Sequence, residues 1–160
     1  MIEGPVGAGK STYAMALAAR TGGVHIALDA WFAGLYSPDR PAGDFIAWYI
    51  ARKERLLELI WLHSRALLAA GVDVILELGL IQRQARLAFC RRVRDEGFDV
   101  LVVELDAPRE LRRARVQQRN QQQGETFAMP VPDHIFELAS DLWEPSDEAD
   151  REEFEIEYRG

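Results

Sequence analysis

One cysteine, two lysines and three histidines are all that this 160-residue chain carries of those residue types, and it has no long apolar run. A lone Cys90 excludes an internal disulfide. Its setting in RLAFCRRVR predicts a buried packing role on a helix rather than a nucleophile. His25, His63 and His134 are scattered without metal-ligand spacing, which argues against a structural zinc. No apolar stretch approaches the ~20 residues of a membrane span, and no charged-then-apolar leader opens the chain. A cytoplasmic protein without a membrane partner is therefore expected. The net charge of −7 leaves little basic surface for broad nucleic-acid binding. The acid is concentrated between Glu144 and Glu157, a run that reads as a solvated terminal face. The chain is 48% hydrophobic and 28% charged, values ordinary for one globular domain with a real core. It contains no internal repeat.

One of the two lysines, Lys10, stands in the most informative stretch, GPVGAGKST. The spacing Gly4-x4-Gly9-Lys10-Ser11 fits the phosphate-binding P-loop pattern in full. Gly4, Gly7 and Gly9, with Pro5, Val6 and Ala8 between them, let successive N–H groups turn toward one anion. Lys10 adds a mobile positive charge, the Ser11 hydroxyl is placed to ligate Mg²⁺, and Thr12 continues into a helix whose N-terminal dipole faces the same phosphates. An accidental glycine-rich turn is the alternative, and the apolar start before the motif and the helical STYAMALAAR after it argue against that. The strand ahead of the loop is short. Only Met1, Ile2 and Glu3 precede Gly4, where about five or six residues are usual. That is the pattern expected of a chain that has lost its first residues, and it predicts a sheet that is thin at this entry.

Beyond the first helix (10–20), VHIAL (24–28) reads as a short strand ending at Asp29. A loop with Gly34, Pro38, Pro41 and Gly43 follows. Apolar residues at three- and four-residue spacing predict a helix over 44–70, with Asp44 as its N-cap and Gly71 just past its end. VDVILEL (72–78) reads as a buried strand, 82–96 as an amphipathic helix stopped at Gly97, and 99–105 as a third strand. Pro108 opens an arginine-rich helix, QQQGETFAMPVP reads as a mobile loop, and a short helix spans 132–142. FEIEY (154–158) alternates like a half-buried edge strand. Strands alternating with helices imply an α/β fold whose parallel sheet has right-handed crossovers. Ligands in such sheets bind beyond the carboxyl ends of the strands, which gathers the P-loop, Asp29 and Glu77 at one edge.

Asp29 is the candidate base for an attacking hydroxyl; the competing reading is a turn cap. Glu77, at the end of an apolar strand, is the candidate water-mediated Mg²⁺ ligand, against a plain charged strand terminus. Asp106 is a weaker candidate, set at the start of the arginine helix. On that helix Arg112, Arg115 and Arg119 are spaced to share a face, and Arg113 lies beside them. Solvated arginines are common on amphipathic helices. Their place just before a flexible loop favours a lid over about 112–130 that closes on ATP.

Taken together, GPVGAGKST, LDAWFAGLY, VDVILELGL, RRARVQQRN and GETFAMPVPDHIFELASDLWEPSDEAD resemble the small P-loop kinases, the group of chloramphenicol phosphotransferase, the zeta-toxin kinases and the kinase domain of polynucleotide kinase. The likeness is closest to bacterial ATP-binding proteins of that group. It covers nearly the whole chain and implies one kinase domain over 1–160, a three-layer, nucleoside-kinase-like P-loop fold with an arginine-bearing lid. It also implies Asp29 as the base facing the acceptor, Arg115 and Arg119 as catalytic and nucleotide-binding lid residues, and DLWEPSDE near the adenine. Arg83 is similar to the arginine that follows the acidic strand end in nucleoside monophosphate kinases. Glu77 departs from the pattern, since many relatives carry aspartate there.

The leading expectation is transfer of the γ-phosphate of ATP, with Mg²⁺, to a hydroxyl of a small molecule. That acceptor would sit against Asp29, Trp31, Trp48, Arg52 and Arg83. The aromatic residues among them serve as core at least as often as pocket lining. A polynucleotide 5′-hydroxyl kinase is the second reading, and it wants a basic groove. A nucleotide-dependent binder or ATPase is the third. The guanine signature Asn-Lys-x-Asp is absent, so ATP is expected over GTP, and an AAA+ ATPase would need a larger chain.

Overall fold

Among the described residues, five short parallel strands, all carrying β-branched or leucine residues, alternate with helices along the chain. The computed structural model describes residues 1–43 and 45–160, with the backbone alone for residues 45 and 46. Asp44, read above as the cap of the long helix, lies outside the described residues. The strands are β1 (Ile2–Glu3), β2 (Val24–Ala27), β3 (Val74–Glu77), β4 (Leu101–Leu105) and β5 (Glu155–Arg159). The helices are α1 (Lys10–Thr21), α2 (Leu28–Tyr36), α3 (Phe45–Ala69), α4 (Arg83–Asp95), α5 (Arg109–Gln122), α6 (Asp133–Asp141) and α7 (Glu148–Glu153).

The backbone ladders run β1-β4-β5 and β2-β3, every pair parallel. The strand β1 also lies against β3. Because β1 has only two residues, the sheet is thin at its entry as expected, and it divides there into two hydrogen-bonded parts. Alternate side chains sort the layers. Ile2, Ile75, Val103 and Leu105 pack with Ala14, Tyr13 and Leu17 of α1. Ile26 and Leu76 pack with Leu56 and Ile60 of α3, while Val102 packs with Leu87 and Cys90 of α4. Helices on both faces of a parallel sheet make the three-layer α/β fold. Cys90 is buried, and its thiol is pushed up to about 11 by that burial, as a packing residue should be.

Two readings of the sequence need correction. The stretch after β2 is not a loop from Asp29: Leu28 already opens α2, and a 3₁₀ turn follows at Ser37–Asp39. Leu28 and Phe32, one turn apart, are both buried, with Asp29 placed favourably in the first turn. That burial outweighs the roughly 1 kcal/mol that Gly34 costs inside a helix. The acidic C-terminal run is not uniformly solvated either. Asp147 and Asp150 form a reciprocal capping box that starts α7, and Asp150 is only 2% exposed. The bounds of β3 and β4 are narrower than read, whereas glycines with positive φ end α1 at Gly22 and follow α3 and α4 at Gly71 and Gly97.

Candidate active site

The loop between β1 and α1 has the backbone that a phosphate cradle requires. Gly4 (φ +148°) and Gly7 (φ +81°) adopt conformations that disfavour side chains. A Cβ at Gly4 would lie 2.2 Å from the Leu105 carbonyl oxygen, and one at Gly7 2.6 Å from that of Arg112. Gly9, also left-handed, precedes α1 without any side-chain cap, and no acid stands in the first turn of that helix. Its first N–H groups and the positive end of its dipole are thus left for an anion. The Lys10 ammonium donates to the carbonyls of Gly4 (2.9 Å) and Pro5 (3.0 Å), folded over its own loop.

Glu77 ends β3 opposite Ala27 of β2. It accepts from Ser11 Oγ at 2.8 Å through Oε1, while Oε2 lies 3.1 Å from His25 Nε2. Burial pushes the Glu77 carboxyl up, but the His25 and Ser11 hydrogen bonds and the Lys10 charge outweigh it and hold it below the ordinary range. An ionised carboxylate beside a serine hydroxyl is a hard-oxygen donor set suited to Mg²⁺ held partly through water. Among the described residues no group of three His, Cys, Asp or Glu side chains is placed to hold a metal alone. Ser11 and Glu77 are therefore the residues that would hold it, with phosphate oxygens and water.

Asp29 is solvent-accessible on one side and crowded by protein on the others. The crowding raises its pKa, opposed by the nearby charges of Lys53, Lys10 and Arg119, while Glu77 adds to the rise. Arg119 is half-buried, and its Nε has no hydrogen-bond partner among the described residues. It couples to Asp29 and Glu77. A half-buried guanidinium with an unmet donor beside two carboxylates carries positive charge into the site that an anionic ligand would satisfy. The P-loop, Ser11, Glu77, Asp29 and Arg119 thus converge.

Other candidates lie elsewhere. Arg112 is not a lid residue: it is 7% exposed and braces the P-loop, donating to Val6 O (3.0 Å), Ala107 O (2.9 Å) and Ser140 Oγ (3.0 Å). Arg112, Val116 and Arg119 form the inward stripe of α5, so Arg115 is left exposed beside it. Arg113 is bound to Glu137. The Arg83 guanidinium grips Asp150 through two bonds of 2.6 Å and Asp147 at 2.8 Å, so it is tied to the C-terminal capping box. Trp31 lies against His63 at 5.8 Å. Trp48 meets Phe32 edge-on, and the Arg52 guanidinium stacks over Trp48 at 4.4 Å. A separate cavity of about 440 Å³ beside Pro5 is lined by Asp106, Arg109, Arg112, Trp143 and Tyr158 among others.

His25 and Glu3 lie at the site without a sequence signal strong enough to single them out. Lys53, the only lysine outside the P-loop, lies one helical turn from Tyr49.

After α5 the chain turns at Gln123, and Asn120 clasps Val131 in both directions, Nδ2 to O at 2.8 Å and N to Oδ1 at 3.1 Å. That clasp closes the base of a largely exposed segment, 121–130. Without nucleotide, amide hydrogen exchange across 123–130 is expected near the unprotected rate, while Leu101–Leu105 stays protected. Equal protection in the two segments, measured by mass spectrometry, would remove the lid.

The profile of the family described as AAA domain, AAA_33, matches residues 1–141. No curated protein matches in sequence. Among solved structures, a sugar kinase from Janibacter sp. HTCC2649 is 20% identical with a TM-score of 0.64, over 99% of this chain and 82% of that one. A gluconokinase from Sinorhizobium meliloti 1021 is 20% identical with a TM-score of 0.56, over 98% and 78%. A chain of the Pnkp1/Rnl/Hen1 RNA repair complex is 20% identical with a TM-score of 0.68; the match covers 98% of this chain and 45% of that one. These likenesses place the fold among the small P-loop kinases, and the profile match over residues 1–141 means that the chain belongs to the AAA domain family AAA_33.

Proposed function

We propose that the protein is an ATP- and Mg²⁺-dependent phosphotransferase that moves the γ-phosphoryl group of ATP to a hydroxyl of a small molecule. The observation that carries this reading is Asp29, an exposed carboxylate just past the carboxyl end of β2 that feels the charges of Lys53, Lys10 and Arg119. A nucleotide switch with no acceptor has no use for such a carboxylate, whereas a plain ATPase would turn it on water, so stimulation by an added acceptor is what separates the two. The N–H groups of the P-loop and the Lys10 ammonium bind the phosphates, and Arg119 meets the charge that spreads over the moving group. Mg²⁺, when bound at Ser11 and Glu77, shields the phosphate charge. Asp29 orients the acceptor hydroxyl and takes its proton as its oxygen bonds to the γ-phosphorus; the bridging bond to the β-phosphate breaks and ADP leaves. Trp31, Trp48 and Arg52 offer the acceptor a wall of aromatic and cationic surface. The cavity beside Pro5 and Trp143 suits the adenine. The gluconokinase and sugar kinase neighbours favour a polyol acceptor, whereas the RNA-repair neighbour favours a polynucleotide. The net charge of −7 weighs against the latter.

The test is ADP release with ATP and Mg²⁺ over a panel of sugars, sugar acids, nucleosides, aminocyclitols and a 5′-hydroxyl oligonucleotide. At least one small hydroxyl compound is expected to raise release well above the basal rate, and Lys10→Ala to lower it at least ~100-fold. ATP binding without stimulation by any acceptor, or full turnover in Lys10→Ala, would overturn the proposal.

A further inference from the structure

Phosphate binding and proton transfer leave His25 without a task. Its place follows from strand register. His25 of β2 pairs with Ile75 of β3, and residues paired in parallel strands project to one face of the sheet. Glu77 lies two residues past Ile75 and shares that face, which the packing of Ile75 with Tyr13, Ala14 and Leu17 makes the side of α1. The imidazole therefore meets the Glu77 carboxylate diagonally across the ladder, Nε2 to Oε2 at 3.1 Å. From α1, Ser11 Oγ donates to Oε1 of the same carboxylate at 2.8 Å. The His25 and Glu77 side chains are only 16% and 12% exposed, so water competes little with the imidazole.

A glutamate reaches its ligand over three torsions, one more than an aspartate, and the backbone of β3 fixes none of them. Of the two groups that hold the Glu77 carboxylate, Ser11 belongs to the same candidate ligand pair. His25 does not: it stands on the neighbouring strand, where the ladder fixes its backbone. A proton on Nε2 is all that it needs to donate, so the neutral ring suffices.

We infer that His25 is a positioning residue for the magnesium site: by donating from Nε2 to Glu77 Oε2 it locks the glutamate so that Oε1 stays beside Ser11, where the ion would be held. The inference rests on the Ser11–Glu77 pair of the proposed phosphotransferase, and not on the acceptor.

The test is Mn²⁺ titrated into the full chain with ADP, protein in excess over nucleotide, the free ion being read by electron paramagnetic resonance. His25→Leu removes the donor and is expected to bind Mn²⁺ about 10- to 100-fold more weakly, as when a metal ligand loses its hydrogen-bond partner. His25→Gln, whose amide nitrogen reaches about as far as Nε2, is expected to recover most of the affinity. ADP affinity without metal is expected to be equal in all three, which a damaged fold would not allow. Glu77→Gln is the control. Weaker Mn²⁺ binding in Glu77→Gln but not in His25→Leu overturns the inference and leaves the magnesium pair standing; unchanged binding in Glu77→Gln overturns both. One measurement needs no variant: the ring ¹⁵N shifts of His25 in the wild type at pH 8 are expected to place the proton on Nε2, and a proton on Nδ1 alone overturns the inference. The expected Mn²⁺ losses without transfer to any acceptor uphold the role of His25 and sink the phosphotransferase reading.

Discussion

Asp29→Asn is expected to bind ATP with near wild-type affinity and to transfer phosphate at least ~100-fold more slowly. The substitution keeps size and hydrogen bonding but deletes the proton acceptor and one negative charge. The P-loop, Lys10 and the Ser11–Glu77 pair are covalently and sterically untouched, so the phosphate side of the cleft is preserved. A hydroxyl is a poor nucleophile until something orients it and takes its proton, and a positioned carboxylate supplies about 10²–10⁴-fold. If Asp29 did no more than favour the first turn of α2, asparagine would replace it at a cost of a few tenths of a kcal/mol and transfer would hardly change. Calorimetry with ATP, together with product formation in the presence of an acceptor, separates the two. Unchanged transfer would end the base assignment.

The second large effect is on stability and comes from Glu3. This carboxyl is fully buried: Oε2 accepts from the Leu80 N–H at 3.2 Å, and Oε1 has no partner among the described residues. Burial pushes its pKa up from the ordinary 4.5 to about 7, even though Lys10, Arg86 and the Leu80 N–H pull it down. A carboxyl that holds its proton more tightly when folded favours the folded state most below its unfolded pKa. That contribution is lost as the pH rises through about 7. The full span corresponds to roughly 3 kcal/mol. Glu3→Gln carries no proton to lose, so at pH 5 it should match the wild type. At pH 8 it should be more stable by about 2–3 kcal/mol. Urea unfolding at the two pH values is the measurement; equal stability at pH 8 would show that the folded protein accommodates the charge without penalty.

Much of this was legible in the sequence because the phosphate cradle is a local device: Gly4, Gly7, Gly9, Lys10 and Ser11 act within one turn of chain, so spacing alone declares them. Asp29 and Glu77 were legible for a related reason, since the carboxyl edge of a parallel sheet collects whatever follows its strands. Arg112 was misread because periodicity tells which residues share a helix face but not whether that face meets solvent or a loop more than a hundred positions away. The helix after β2 was hidden by Gly34 and the following prolines, whose local signal is weaker than the burial of Leu28 and Phe32. Asp150 reads as one more solvated acid in sequence because its partner Arg83 stands 67 positions away. The match to AAA_33 and its kinase neighbours agrees with the small P-loop kinase group that the ordered motifs resemble. Lys53 and Glu3 depend on tertiary neighbours, which no single stretch of sequence contains.

The split in the sheet makes the cleft a joint between two mechanical pieces. One piece, β1-β4-β5, carries the phosphate cradle; the other, β2-β3, carries Asp29 and Glu77. Among the described residues no backbone ladder spans the joint between β1 and β3. It is stapled by side chains instead: Glu3 on the Leu80 N–H, and Ser11 on Glu77. A ladder fixes spacing in steps of whole residues, whereas a side-chain staple can be lengthened or shortened by one methylene. Glu3→Asp, which shortens the Leu80 staple by one methylene, would therefore change the spacing of the two pieces without altering Ser11, Glu77 or Asp29.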